Sequence, residues 1–124
     1  MVARILIIDD DVQIRTLLKE ILQQEGYEVV DAPDGLEGVR LYRENPADLV
    51  ITDIIMPEKE GLEIIRELRT DFPEVKIMAI SGGGRIGPEP YLQIAERLGA
   101  QSILTKPIGR DELIGAVREA LKEL

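Results

Sequence analysis

Short β-prone runs alternate along this chain with stretches in which apolar residues recur every three or four positions. The runs are Ile5-Leu6-Ile7-Ile8 behind Arg4, Tyr27 to Ala32, Leu49-Val50-Ile51-Thr52-Asp53, Lys76 to Ile80, and Ser102 to Leu104. Unbroken Leu, Val and Ile over so few residues marks strands buried on both faces. Between the first two runs, Ile14, Leu17, Leu18, Ile21 and Leu22 fall on one helical face. That spacing predicts an amphipathic helix over Val12–Glu25, with Asp11 as N-cap and Gly26 as its stop. A weaker helix, interrupted by Gly38, is expected from Leu36 to Glu44 after the Pro33-Asp34-Gly35 turn. Ile64, Ile65 and Leu68 predict a third from Gly61 to about Asp71, closed by Phe72-Pro73. Tyr91, Ile94, Ala95 and Leu98 mark a fourth that stops at Gly99, and Leu113, Ile114, Val117 and Leu121 a last one from about Arg110 to Lys122.

Strands alternating with helices predict an α/β fold: a doubly wound, five-stranded parallel sheet with helices on both faces, because each right-handed crossover must lay its helix on the sheet. In such a sheet all strands point the same way. Their carboxyl ends share one edge, and ligands bind there, where the strand order reverses. Asp9 and Asp10 follow the first strand, Asp53 ends the third, Ser81 follows the fourth and Lys106 follows the fifth. The coincidence of these residues at one edge, rather than any one of them, points to a site.

Composition narrows the chemistry. At 124 residues one domain spanning 1–124 is expected, with no room for an output domain. A net charge of -9 disfavours direct binding to nucleic acid or an anionic membrane surface. The chain contains no Cys and no His, which removes thiol chemistry, disulfides, a histidine base and the usual zinc sites. No apolar stretch approaches the roughly 18 residues of a membrane span, so the cytoplasm is the expected location.

Carboxylates remain, and they repel: two unit charges ~5 Å apart cost about 3 kcal/mol at an effective dielectric near 20. A hard divalent cation with oxygen ligands, Mg²⁺ or Mn²⁺ in its place, suits Asp9, Asp10 and Asp53. Lys106 adds one more positive charge, leaving a site able to receive a phosphoryl group at Asp53.

Asp9-Asp10 after the first strand, Asp53 followed by Met56-Pro57, Ser81 after the fourth strand and Lys106-Pro107 after the fifth together resemble the response regulator receiver domain of two-component phosphorelays. The resemblance covers nearly the whole chain. It implies a flavodoxin-like sheet of strand order 2-1-3-4-5 and a signalling phosphoacceptor rather than an enzyme acting on an outside substrate. It implies Asp53 as the acceptor, with Mg²⁺ held directly by Asp10 and Asp53, partly through water by Asp9, and by the backbone carbonyl of Ile55. Ser81 would offer its hydroxyl and Lys106 its ammonium to the phosphoryl oxygens. With no His in the chain, the donor would be a histidine kinase or a histidine phosphotransfer protein. A downstream protein would dock on the face shared by the helix over 91–98, the fifth strand and the last helix, and any dimer would depend on phosphorylation.

One position departs from the pattern. Ile103 stands three residues before the lysine, where many receivers carry an aromatic side chain that changes rotamer. A β-branched side chain has a restricted χ1 and less bulk to swing, so the Gly82-Gly83-Gly84 loop, with Pro88 and Pro90, is expected to carry more of the conformational signal. That loop lacks the Lys-Ser/Thr of a P-loop. From a different class, Asp9-Asp10-Asp11 also fits the start of a haloacid dehalogenase-like phosphatase with Asp9 as nucleophile. Gln13 stands where that motif wants Thr or Val.

Overall fold

The computed structural model describes residues 2–54, 61–81, 93, 97, 99–100 and 102–122. Five strands, β1 (Arg4–Ile8), β2 (Glu28–Ala32), β3 (Leu49–Asp53), β4 (Ile77–Ser81) and β5 (Ser102–Thr105), form one sheet. Every pairing is parallel and the order is β2-β1-β3-β4-β5. The described helices are α1 (Val12–Gln24), α2 (Gly35–Glu44), α3 (Gly61–Asp71) and α4 (Arg110–Leu121). The helix expected over 91–98 lies outside the described residues except for Gln93 and Arg97, both helical. None of the described helices is long and apolar enough to cross a membrane.

Local chemistry sets the ends of these elements. The Asp11 carboxylate accepts the Gln13 and Ile14 N–H groups at 2.9 and 3.2 Å, satisfying donors that the first turn of α1 leaves free. Gly26 reverses the chain in the left-handed region, at φ +94°. Tyr27, expected in β2, lies just before it, because its N–H returns to the Leu22 carbonyl at 3.2 Å. Asp34 caps α2 through the Glu37 N–H, so that helix begins at Gly35 rather than Leu36. Gly38, which weakened the helical pattern, lets α2 lie close to β1: a β-carbon there would stand 2.7 Å from Ile8 Cγ1.

The central strands β1, β3 and β4 are buried on both faces, as their composition predicts, while β2 and β5 at the sheet edges are only partly covered. Alternate residues serve two cores. Ile5, Ile7, Leu49, Ile51, Met78 and Ile80 pack against Leu18 and Leu22 of α1 and Leu113 and Val117 of α4. Leu6, Ile8, Val50, Ile77 and Ala79 pack against Val39 and Tyr42 of α2 and Ile64, Ile65 and Leu68 of α3. Among the described residues, one pair of helices covers each side of the sheet, and the site residues lie at the carboxyl edge of the strands.

Candidate functional site

Strand register brings the acidic residues together. β1 and β3 pair Ile7 with Ile51 and Ile8 with Thr52, so one further step sets Asp9 beside Asp53. β4 and β5 pair Ser81 with Thr105, and the Lys106 N–H continues that ladder onto the Ser81 carbonyl at 2.8 Å. The Lys106 side chain then reaches back across the end of β4 to meet the acids that end β3 and follow β1. Its Nζ donates to Asp53 Oδ2 at 3.1 Å and lies 3.0 Å from Asp9 Oδ2. The contact with Asp9 is a close ion pair off the hydrogen-bond direction, since Asp9 Oδ2 has no aligned donor among the described residues.

Carboxylate oxygens of Asp9, Asp10 and Asp53 all lie within 4.8 Å of one another. Asp9 is 1% exposed and Asp53 6%, whereas Asp10 is exposed at the rim. Burial by itself would push the Lys106 ammonium down; the negative charges of Asp53 and Asp9 outweigh it and hold its pKa above the ordinary lysine value. One ammonium faces three carboxylates, so the cluster keeps an excess of negative charge that a hard divalent cation would offset. Ser81 is fully buried and its Oγ has no hydrogen-bond partner among the described residues. An all-oxygen donor set with a spare lone pair at Asp9 Oδ2 and an unpartnered hydroxyl nearby fits magnesium and an oxyanion together. Asp9, Asp10 and Asp53 would hold the metal; Ile55, expected to add its carbonyl, lies outside the described residues.

The expectation of Asp9 as a nucleophile fares poorly. Its Oδ1 accepts the Asp11 N–H at 2.9 Å, its Oδ2 faces Lys106, and almost none of its surface reaches solvent. Three further residues shape the site without having stood out in the sequence. Thr52 is buried and its hydroxyl donates to the Asp53 carbonyl at 3.0 Å. Gly61 donates its N–H to the Ile54 carbonyl at 2.7 Å and packs on the backbone of Asp53. Arg15 donates to the Asp9 carbonyl at 2.8 Å. The Lys106–Pro107 peptide is cis.

An acidic cleft with a lysine and a buried hydroxyl, at the carboxyl edge of a 2-1-3-4-5 parallel sheet, defines a phosphoacceptor signalling module. Comparison with known proteins agrees. Residues 5–118 match the response regulator receiver domain family, and the chain belongs to it. It is 35% identical over 120 residues to the chemotaxis protein CheY of Listeria monocytogenes, covering 96% of this chain and 98% of that protein. It is 36% identical over 121 residues to the transcriptional regulatory protein GlrR of Escherichia coli K12, covering 98% of this chain but only 27% of GlrR. The crystal structure of a response regulator receiver domain protein from Clostridium thermocellum superposes with a TM-score of 0.90 at 33% identity, covering 98% of this chain and 96% of that one. The family and fold favour the phosphoacceptor role over the phosphatase.

Proposed function

We propose that Asp53 accepts a phosphoryl group from the phosphohistidine of a histidine kinase or phosphotransfer protein. One Asp53 carboxylate oxygen bonds to phosphorus as the phosphorus–nitrogen bond to the donor breaks, and the donor imidazole, protonated on its other ring nitrogen, leaves as a neutral ring. Such a loose, charge-spread transfer asks the protein for positioning and positive charge, not for a histidine base. Lys106, already poised on Asp53, follows the developing negative charge on the phosphoryl oxygens, and the unpartnered Ser81 hydroxyl donates to one of them. Mg²⁺, or Mn²⁺ in its place, would supply further neutralisation when held by Asp10, Asp53 and the Ile55 carbonyl, with Asp9 behind them. The observation that carries this proposal is the single ammonium of Lys106 drawn between Asp9 and Asp53.

Residues 1–124 would act as one receiver unit in the cytoplasm, promoting only their own phosphorylation and dephosphorylation. Ile103 is half-buried on β5, and the signal would pass to a downstream protein over β5 and α4; of residues 82–98, expected to share in it, only Gln93 and Arg97 are among the described residues. A phosphorylation-dependent dimer is one form this output could take. Intact mass after acetyl phosphate with Mg²⁺ tests the proposal on the native chain, Asp53→Asn and Asp9→Asn. A phosphoryl adduct on the native chain that Asp53→Asn abolishes supports it. An adduct that survives Asp53→Asn and vanishes with Asp9→Asn, together with phosphoester turnover, overturns it.

A further inference from the structure

Arg15 stands in the first turns of α1, behind the acidic loop, and its guanidinium is forked between two targets. Nη1 donates to the Asp9 backbone carbonyl at 2.8 Å, and Nε donates to Asp31 Oδ2 on β2 at 2.7 Å. Lys19, one helical turn further along α1, holds the other Asp31 oxygen at 3.1 Å. The Arg15 side chain is 15% exposed and that of Asp31 26%, so this is a sheltered network rather than a loose surface pair. An ion pair that only tied α1 to β2 would be complete with the Arg15–Asp31 contact. The second arm is directed at the site loop.

The target of that arm matters because the Asp9 carbonyl and the Asp10 N–H belong to one planar peptide unit. A donor that fixes the carbonyl fixes the direction in which the chain delivers Asp10. The Asp9 carboxylate has its own supports, the Asp11 N–H and Lys106, and Asp53 has Lys106. Asp10 is exposed, and among the described residues its carboxylate has no hydrogen bond or ion pair to aim it. We propose that Arg15, anchored by Asp31, is a positioning residue that aims Asp10 at the cation site by holding the Asp9–Asp10 peptide. This rests on the magnesium-dependent phosphoacceptor function proposed above.

The test is calorimetric titration of the unphosphorylated full chain with Mg²⁺, for the native protein, Arg15→Met, Arg15→Lys and Asp31→Asn, beside thermal melting in EDTA. Residues supporting metal ligands typically change metal affinity 10- to 100-fold, so Arg15→Met should weaken Mg²⁺ binding by about tenfold. Arg15→Lys keeps the charge but cannot reach both partners, and Asp31→Asn keeps the guanidinium but loosens its anchor; both should show a smaller loss of affinity. Their folding, read in EDTA, keeps the comparison decisive should Arg15→Met fail to fold. Lower melting temperatures with unchanged Mg²⁺ affinity across the series would overturn the positioning role and leave the phosphoacceptor proposal standing. A native chain that neither binds Mg²⁺ nor gains a phosphoryl adduct would overturn both.

Discussion

Gly61 and Asp53 are so close that a β-carbon built on Gly61 would lie 2.8 Å from the Asp53 carbonyl carbon and 2.5 Å from the Ile54 α-carbon. The obstacle is backbone, which cannot rotate away, and it is the backbone that delivers the proposed acceptor. Gly61→Ala must therefore push α3 off the end of β3 or displace Asp53. Overpacking of this kind costs about 3 kcal/mol at the upper end of its range. The urea midpoint should fall accordingly, and phosphoryl uptake in the fraction that remains folded should slow. A midpoint within experimental error of the native chain would show that the contact yields freely.

Ser81 makes the opposite prediction. Its hydroxyl is buried without a partner among the described residues, a state that costs folding about 1 to 3 kcal/mol. Ser81→Ala should leave stability unchanged or raise it, while weakening the binding of beryllofluoride, a phosphoryl analogue, because the donor proposed for one phosphoryl oxygen is gone. Equal analogue affinity in both proteins would remove Ser81 from the site.

Magnesium held by the carboxylate cluster would be coupled to folding. A ligand that binds the folded state alone at ten times its dissociation constant stabilises it by about 1.4 kcal/mol. For a chain of this size that is a rise of about 5 °C in melting temperature. Lys106→Met should lower the melting temperature in EDTA by more than that, since removing one partner of a buried ion pair costs about 3 kcal/mol or more, and Mg²⁺ should restore part of the loss. Differential scanning calorimetry with and without Mg²⁺ checks both, and a melting temperature indifferent to millimolar Mg²⁺ would count against the metal assignment.

Asp31 gives the fold an acid-sensitive tie. Burial alone would raise its pKa, but Lys19 and then Arg15 outweigh that and hold it below the ordinary carboxylate value of 3.8. A depressed carboxylate contributes stability that is present above the unfolded pKa and is lost as pH falls through the folded one. Asp31→Asn should therefore be less stable than the native chain by about 1 kcal/mol at pH 7, a typical value for a partly sheltered pair. The gap should narrow once the pH drops below about 4, where the unfolded carboxylate takes up its proton. Urea midpoints at pH 7 and pH 3 measure it; a gap that widened in acid would reverse the sign argued here.

The strands, most of the described helices and the candidate residues that the structure gathers at one sheet edge were readable along the chain. Ile5–Ile8 and Leu49–Ile51 are apolar on both faces because both faces are covered, and that requirement is written in consecutive residues. The Asp11 cap was legible for the same reason, its partners being two and three residues away. Tyr27 was misplaced into β2 because its ring suits a strand, while the hydrogen bond that excludes it reaches back to Leu22. The residues Asp9, Asp10, Asp53, Ser81 and Lys106 could be named because each follows or ends a strand, and parallel strands end at one edge.

Only the tertiary structure decided how those residues divide the work. Lys106 and Asp53 are 53 positions apart, and Arg15 and Asp31 are 16, so no local pattern says that they touch. Gly61 looked like an ordinary helix start until the backbone of Asp53 was found against it. Which strands neighbour one another, and how far each pair slides before its register locks, are settled by packing summed over both cores. Composition along the chain records which residues must be buried or charged, and the contacts among them exist only once the sheet has closed.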